Sequence, residues 1–295
     1  MNALRVPFAS LTAERLLARG AGGHVFSISD HVVFKCPTVF HNPTPEQTDE
    51  MEESATRIAN EKSAHGMLME HPHPYIVRCI LCVPEGFFME RMGATLQARI
   101  EHNSACEPPS THTQARWIRQ IASALSWIEG LGHVHGDLRP ANILLTADDD
   151  IRVADFDASV KTGERLIVAS EPFCKLDGDF ELPHASPISE QFALASCIYT
   201  VRFGHIPLRE LDAPSRVQKL INNEFPPTEK DEIFGAVTLS CWQGQYVSIA
   251  AVYEDIKSRC DATSASDVVE GSSQKMPNLL AECEGFVARE RGIIG

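Results

Sequence analysis

The sequence predicts an α+β molecule in two parts: a small antiparallel sheet with one helix over residues 1–90, and a larger, mostly helical part over 91–257. Three observations carry this. Alternating apolar residues broken by glycines dominate the start of the chain, helical apolar stripes dominate the remainder, and two short hydrophobic strands in the middle carry a cluster of carboxylates. Residues 258–295, rich at first in Ser, Asp and Gly, read as a linker and short tail. With 43% hydrophobic and 22% charged residues, a chain of 295 residues has ample material for a core.

Leu16 to Lys35 reads as a β-hairpin with a glycine-rich turn at Gly20, Gly22 and Gly23, broken again at Ser29-Asp30. His41 to Glu53, rich in Pro, Thr and acids, reads as a solvated loop. A helix is expected from Glu52 to Met69, stopped by His71-Pro72. Tyr75 to Val83 and Gly86 to Arg91 follow as strands. Thr113 to Gly130 is an amphipathic helix with Trp117, Ile121, Leu125 and Ile128 on one stripe. Then come the two short strands, an irregular stretch from Ser159 to Ser186, and an apolar helix from Ser189 to Phe203 capped by Gly204. Val217 to Asn222, Ile233 to Trp242 and Ser248 to Lys257 read as helices, and Met276 to Arg291 as a short terminal one.

The net charge of −14 argues against general nucleic-acid binding, which needs a basic field. No apolar run approaches the roughly 20 residues that cross a bilayer. The basic N-terminus (Arg5, Arg15, Arg19) lacks the apolar core of a signal peptide. Nine scattered cysteines read as reduced thiols. In the lone Cys79/Cys82 pair, residues three apart on a strand should point to opposite faces, which disfavours a shared zinc. His71 and His73 read as a Pro-dominated turn rather than a metal site. A cytoplasmic monomer is the expectation, with the nucleus as the second compartment.

The chemistry is concentrated in His135-Gly136-Asp137-Leu138-Arg139-Pro140-Ala141-Asn142 and in Ile151-Arg152-Val153-Ala154-Asp155-Phe156-Asp157, joined through the acidic turn Asp148-Asp149-Asp150. Two Asp and an Asn at this spacing offer hard oxygen ligands beside a carboxylate able to orient a hydroxyl. Together with Val32-Val33-Phe34-Lys35, His71-Pro72-His73-Pro74-Tyr75-Ile76-Val77 and Cys241-Trp242, these motifs resemble the eukaryotic protein kinase family over about residues 14–257, in a divergent, fungal-type form.

That resemblance implies a two-lobed kinase-like fold and use of ATP and Mg2+. By it, Gly20, Gly22, Gly23 and Val25 cover the phosphates, and Lys35 contacts them while paired with Glu61. Met89 is the gatekeeper, and Glu90 to Met92 offer backbone groups to adenine. Asp137 orients the acceptor hydroxyl, Arg139 neutralises the transferring phosphoryl group, and Asn142 and Asp155 hold the metal. Glu190 stands where the family writes Asp.

The family's pattern is broken more deeply at three further places. Gly136 replaces the Arg that grips a phosphorylated activation segment. Asp157 replaces the Gly of DFG, where Asp can adopt the left-handed conformation at a cost on the order of 1 kcal/mol. No APE motif follows; Glu171-Pro172 sits early, and the Arg that would pair with its Glu is not evident near Tyr246 to Val252. The implied function is Ser/Thr phosphorylation of an unidentified protein substrate, Pro140 favouring Ser/Thr. The alternatives are an ATP-binding scaffold of kinase fold and a small-molecule phosphotransferase of the aminoglycoside or choline kinase type, suggested by HGD and DFD.

Overall fold

The structure, a computed structural model, describes residues 4–101, 109–262 and 278–292. The chain divides into two compact units. One draws its residues from Met1–Pro72, Val77–Met92 and Val269–Gly295, the other from His73–Ile76 and Gly93–Val268.

The first unit is built on a five-stranded antiparallel sheet: β1 (Leu16–Gly20), β2 (Gly23–Ser27), β3 (Val32–Cys36), β4 (Cys79–Val83) and β5 (Gly86–Glu90), in the order β1-β2-β3-β5-β4. Alternation sorts its side chains. Phe26, Phe34 and Phe88 point to one face, where Phe8 and Leu11 join them in the core. Lys35 and Phe87 belong to the other face, where Phe87 meets His65 of helix α1 (Pro45–Glu70) at a ring distance of 5.0 Å.

Helix α1 corrects the expected loop at 41–53, since it starts at Pro45 rather than Glu52. The reason is a capping box. Thr44 accepts from the Gln47 N–H and the Gln47 side chain returns to the Thr44 N–H, with Pro45 in the first turn. The pattern Thr-x-x-Gln announces this start; a composition rich in Pro and acid conceals it. The helix ends at His71 as expected.

The terminal helix expected over Met276 to Arg291 is present, but as part of a core rather than as a tail. A helix, α8, spans Leu279–Glu290 and completes the core of the first unit. Its Phe286 meets Phe8 and Phe88 edge-on at 5.5 and 5.8 Å. Residues 263–277, most of the expected linker, lie outside the described residues.

The second unit is mostly helical: α2 (Leu96–Glu101), α3 (Thr111–Gly130), α4 (Pro187–Phe203), α5 (Ala213–Ile221), α6 (Gly235–Trp242) and α7 (Ile249–Ala262). α2 has no counterpart in the sequence reading; six residues are too short to show a helical period. α3 packs on α7 and α4 on α6, burying Trp117, Phe234 and Trp242. α7 extends through Ala262, past the expected end at Lys257. Two short antiparallel pairs complete the unit: β6 (His133–Val134) with β9 (Val160–Lys161), and β7 (Ile143–Leu145) with β8 (Ile151–Val153).

Candidate active site

In the first unit the sheet register sets the geometry. β1 and β2 close through Gly20 opposite Gly23, and Val25 lies directly across from Lys35. Gly23 is glycine for a reason internal to the hairpin: its φ is +105°, and a Cβ there would stand 2.2 Å from the Cys36 carbonyl oxygen. Gly20, by contrast, is exposed with open space around it. Lys35 Nζ stands 2.6 Å from Glu61 Oε2, and both residues are buried, at 7% and 0% exposure. Glu61 is therefore the helical partner, whereas Glu53 lies on the solvent side of α1 with Arg57. His65, one turn on and also buried, places Nε2 3.8 Å from Glu61 Oε1.

Met89 is buried on β5 opposite Cys79. The Glu90 N–H is bonded to the Arg78 carbonyl at 3.1 Å. Met92 is half-buried, just past the end of β5.

In the second unit the two catalytic-loop motifs flank β7 and β8. The acidic turn between these strands is structural. Trp117 Nε1 and Arg116 donate to the Asp149 carbonyl, and Gln120 bridges the Asp150 carboxylate to the Ile151 N–H, fastening the turn to α3. His135, fully buried, sits 4.9 Å from the Phe156 ring, with its Nε2 3.0 Å from the Ala154 carbonyl.

Asp137 is the centre of the arrangement. Asn142 Nδ2 donates to both the Asp137 carbonyl (2.8 Å) and its Oδ2 (3.0 Å), and Arg139 Nε adds a second contact to Oδ2 at 3.2 Å. The other carboxylate oxygen, Oδ1, is buried and has no hydrogen-bond partner among the described residues. A cavity of about 270 Å³ opens beside Asp137, lined by Leu138, Leu166, Phe173, Phe192, Lys175 and Asp177.

Asp155 takes the left-handed conformation (φ 65°, ψ 67°) at the entrance to the 3-10 turn Phe156–Ala158. This corrects the expectation for Asp157. The reversal falls on the first Asp of Asp-Phe-Asp, so Asp157 is a buried member of the turn itself and meets no left-handed demand.

Gly136 also has a cause beyond a lost arginine. Its φ is +82°, and a Cβ would lie 2.2 Å from the Ala158 carbonyl oxygen. The loop has closed down on the residue after the Asp-Phe-Asp run, into space that a side chain would fill. Glu190, in the first turn of α4, accepts from the His135 and Gly136 N–H groups at 3.0 and 3.2 Å. Burial pushes its carboxyl up, while His135 and these two amides pull it back. Glu190 thus anchors the catalytic loop, a role that only a buried acid in an otherwise apolar helix hints at.

Glu171 forms a bidentate pair with Arg216 of α5, which also donates to the Leu211 carbonyl. The arginine sought near Tyr246 to Val252 is therefore supplied from α5, by a contact 45 residues long that spacing does not reveal.

The protein kinase domain model matches residues 11–229. The chain belongs to this family. Similar proteins include cell division control protein 7 of Schizosaccharomyces pombe, 28% identical over 38% of this chain and 11% of that one. The dual specificity protein kinase shkE of Dictyostelium discoideum is 32% identical over 32% of this chain and 14% of its own. The serine/threonine-protein kinase PknE of Mycobacterium tuberculosis is 26% identical over 74% of this chain and 39% of its own. The chain thus spans 11% to 39% of the length of these relatives, which do not single out fungi.

Membership in the kinase family implies use of ATP with a divalent metal, and the donor set fits such a group. Asn142 spends its amide protons on Asp137, which leaves its carboxamide oxygen available as a hard donor. Among the described residues no group of three or more His, Cys, Asp or Glu forms a metal cage. Asn142 and Asp155 would offer the one or two hard oxygens that a phosphate-bound cation uses. Among the described residues no helix is long and apolar enough to cross a membrane.

Proposed function

We propose that this kinase-family chain transfers the ATP γ-phosphate to a Ser or Thr hydroxyl of a protein, with Mg2+ as the metal. The observation that carries the reading is the asymmetry of Asp137. One carboxylate oxygen is pinned by Asn142 and Arg139, the other is buried and unpartnered among the described residues, and Asp137 itself lines a cavity. An acceptor hydroxyl entering that cavity donates to Oδ1, which orients it and takes its proton late in transfer.

Asn142 and Asp155 would hold the cation. When bound, it neutralises charge on the phosphates. Lys35, held by Glu61, is assigned to the α- and β-phosphates, with Gly20, Gly22, Gly23 and Val25 covering the nucleotide and Glu90 and Met92 offering backbone groups to the base. Arg139, 40% exposed in its side chain, is assigned to the transferring phosphoryl group. Gly136 leaves no arginine to receive a phosphorylated activation segment, so activity should not depend on such phosphorylation, and treatment of purified protein with a phosphatase is expected to leave it unchanged.

The test is Mg-dependent incorporation of phosphate into mixed protein acceptors, followed by phosphoamino-acid identification. Wild type is expected to label Ser or Thr, and Asp155→Asn to fall by at least a hundredfold. ATP-induced thermal stabilisation with no incorporation above that variant would instead identify an ATP-binding scaffold.

A further inference from the structure

The Cys79/Cys82 pair does not behave as its spacing suggests. Three residues apart on a regular strand, the two thiols would face opposite sides of the sheet. A β-bulge intervenes: Cys79 lies opposite Met89 and Cys82 opposite Phe87, with the register shifted between Cys79 and Leu81. Three residues of β4 thus match two of β5, and both thiols emerge on one face, that of α1. Their sulfurs are 3.7 Å apart. Two residues of strand rise put the Cα atoms about 6.6 Å apart, within the span that a disulfide bridges.

The two sulfurs also sit in different surroundings. Cys79 is buried, while Cys82 is partly exposed. Lys62, whose Nζ is fixed 2.6 Å from the Val83 carbonyl, supplies a cation beside Cys82. The contact from Cys79 and the charge of Lys62 bring the Cys82 thiol down to about 7 against the opposing effect of burial, whereas Cys79 is pushed up. Cys36, Cys174 and Cys283 are raised to about 12 by burial, so Cys82 alone of these carries thiolate near neutral pH.

We propose that Cys79 and Cys82 form an oxidation site, in which a hydroperoxide converts Cys82 to a sulfenic acid that Cys79 resolves to an intrastrand disulfide. The Cys82 thiolate attacks the terminal peroxide oxygen and the O–O bond breaks. The departing alkoxide or hydroxide takes a proton, so the peroxide is reduced to alcohol or water. The Cys79 sulfur then attacks the sulfenic sulfur as the S–S bond forms. The hydroxyl of the sulfenic acid leaves with the Cys79 proton as a second water. The pair lies wholly within the first unit and does not depend on the proposed kinase activity.

The experiment treats the full chain under native conditions with hydrogen peroxide, then alkylates, digests and reads the peptide containing both residues by mass spectrometry. That peptide is expected to lose two hydrogens and escape alkylation before Cys36, Cys174 or Cys283 react, and to recover with dithiothreitol. In Cys79→Ser the sulfenic acid should persist and be trapped by dimedone at Cys82, and in Cys82→Ser oxidation of this peptide should stop. The inference is overturned if both thiols of the wild-type chain stay alkylatable while other cysteines oxidise. It is equally overturned if Cys82 progresses to sulfinic acid with Cys79 still free. Both readings come from the wild-type chain, so they stand even where a variant folds poorly.

Discussion

Gly136, Asp155 and Asp157 show how single residues set the local geometry of the catalytic loop. An alanine at 136 meets both a positive φ and the Ala158 carbonyl, so the His-Gly-Asp and Asp-Phe-Asp segments have to separate to accept it. Gly136→Ala is expected to lower stability by about 2 kcal/mol or more, read as a shift in urea midpoint, and to abolish phosphate transfer. Restoring an arginine at this position should therefore disable the chain rather than add control. His73 makes a second prediction at this scale. It accepts from the Tyr75 N–H, contacts Ser123 and stacks on Trp127 at 5.6 Å. Burial, helped by Arg152, lowers its pKa to about 4. The unfolded chain then binds the proton more readily than the folded one, so stability falls as pH drops from about 6.5 toward 4. The loss should be on the order of 2 kcal/mol, measured by urea unfolding at pH 7 and 4.5, and His73→Gln should flatten the difference.

At the scale of elements, the sequence was legible wherever a short-range pattern carried the answer. The Leu16 to Lys35 hairpin, the stripe of α3 and the Gly204 cap of α4 all depend on neighbours in sequence, and all stand as expected. Over 45–51 a composition rich in Pro and acid masks the Thr44–Gln47 capping signal that starts α1. The bulge in β4 was not legible, because it is defined by what lies across the sheet on β5. The Arg216–Glu171 pair escaped for the same reason. Another such contact is Arg202 of α4, which grips Asp231 through two bonds of 2.9 Å while Asp231 is 7% exposed. Arg202→Ala leaves that carboxylate buried without its cation, held only by the Ile233 and Phe234 N–H groups, and is expected to cost about 3 kcal/mol, whereas replacing both partners by apolar residues should cost less. A double-mutant cycle in urea checks this.

For the molecule as a whole, two compact units each carry part of the proposed chemistry: the Lys35–Glu61 pair in one, the Asp137, Asn142 and Asp155 group in the other. The motifs of both were readable in order and spacing, including Glu61 as the partner of Lys35. What the sequence did not disclose is that the first unit is finished by the end of the chain. Phe286 reaches Phe8 and Phe88 from α8, roughly 200 to 280 residues away, a distance over which no periodicity speaks. Phe286→Ala is expected to destabilise the first unit by about 3–5 kcal/mol, seen as an earlier loss of amide protection across β3 and β5 in hydrogen exchange. The central claim rests on Asp137, whose pinned and unpinned oxygens underlie the proposal that it is an acceptor-orienting base. The most direct measurement is the turnover number of Asp137→Asn against wild type, with ATP affinity followed in parallel by thermal shift. The account predicts a fall of roughly 10²–10⁴-fold in kcat with ATP-induced stabilisation retained. A variant that keeps turnover within tenfold of wild type would contradict it.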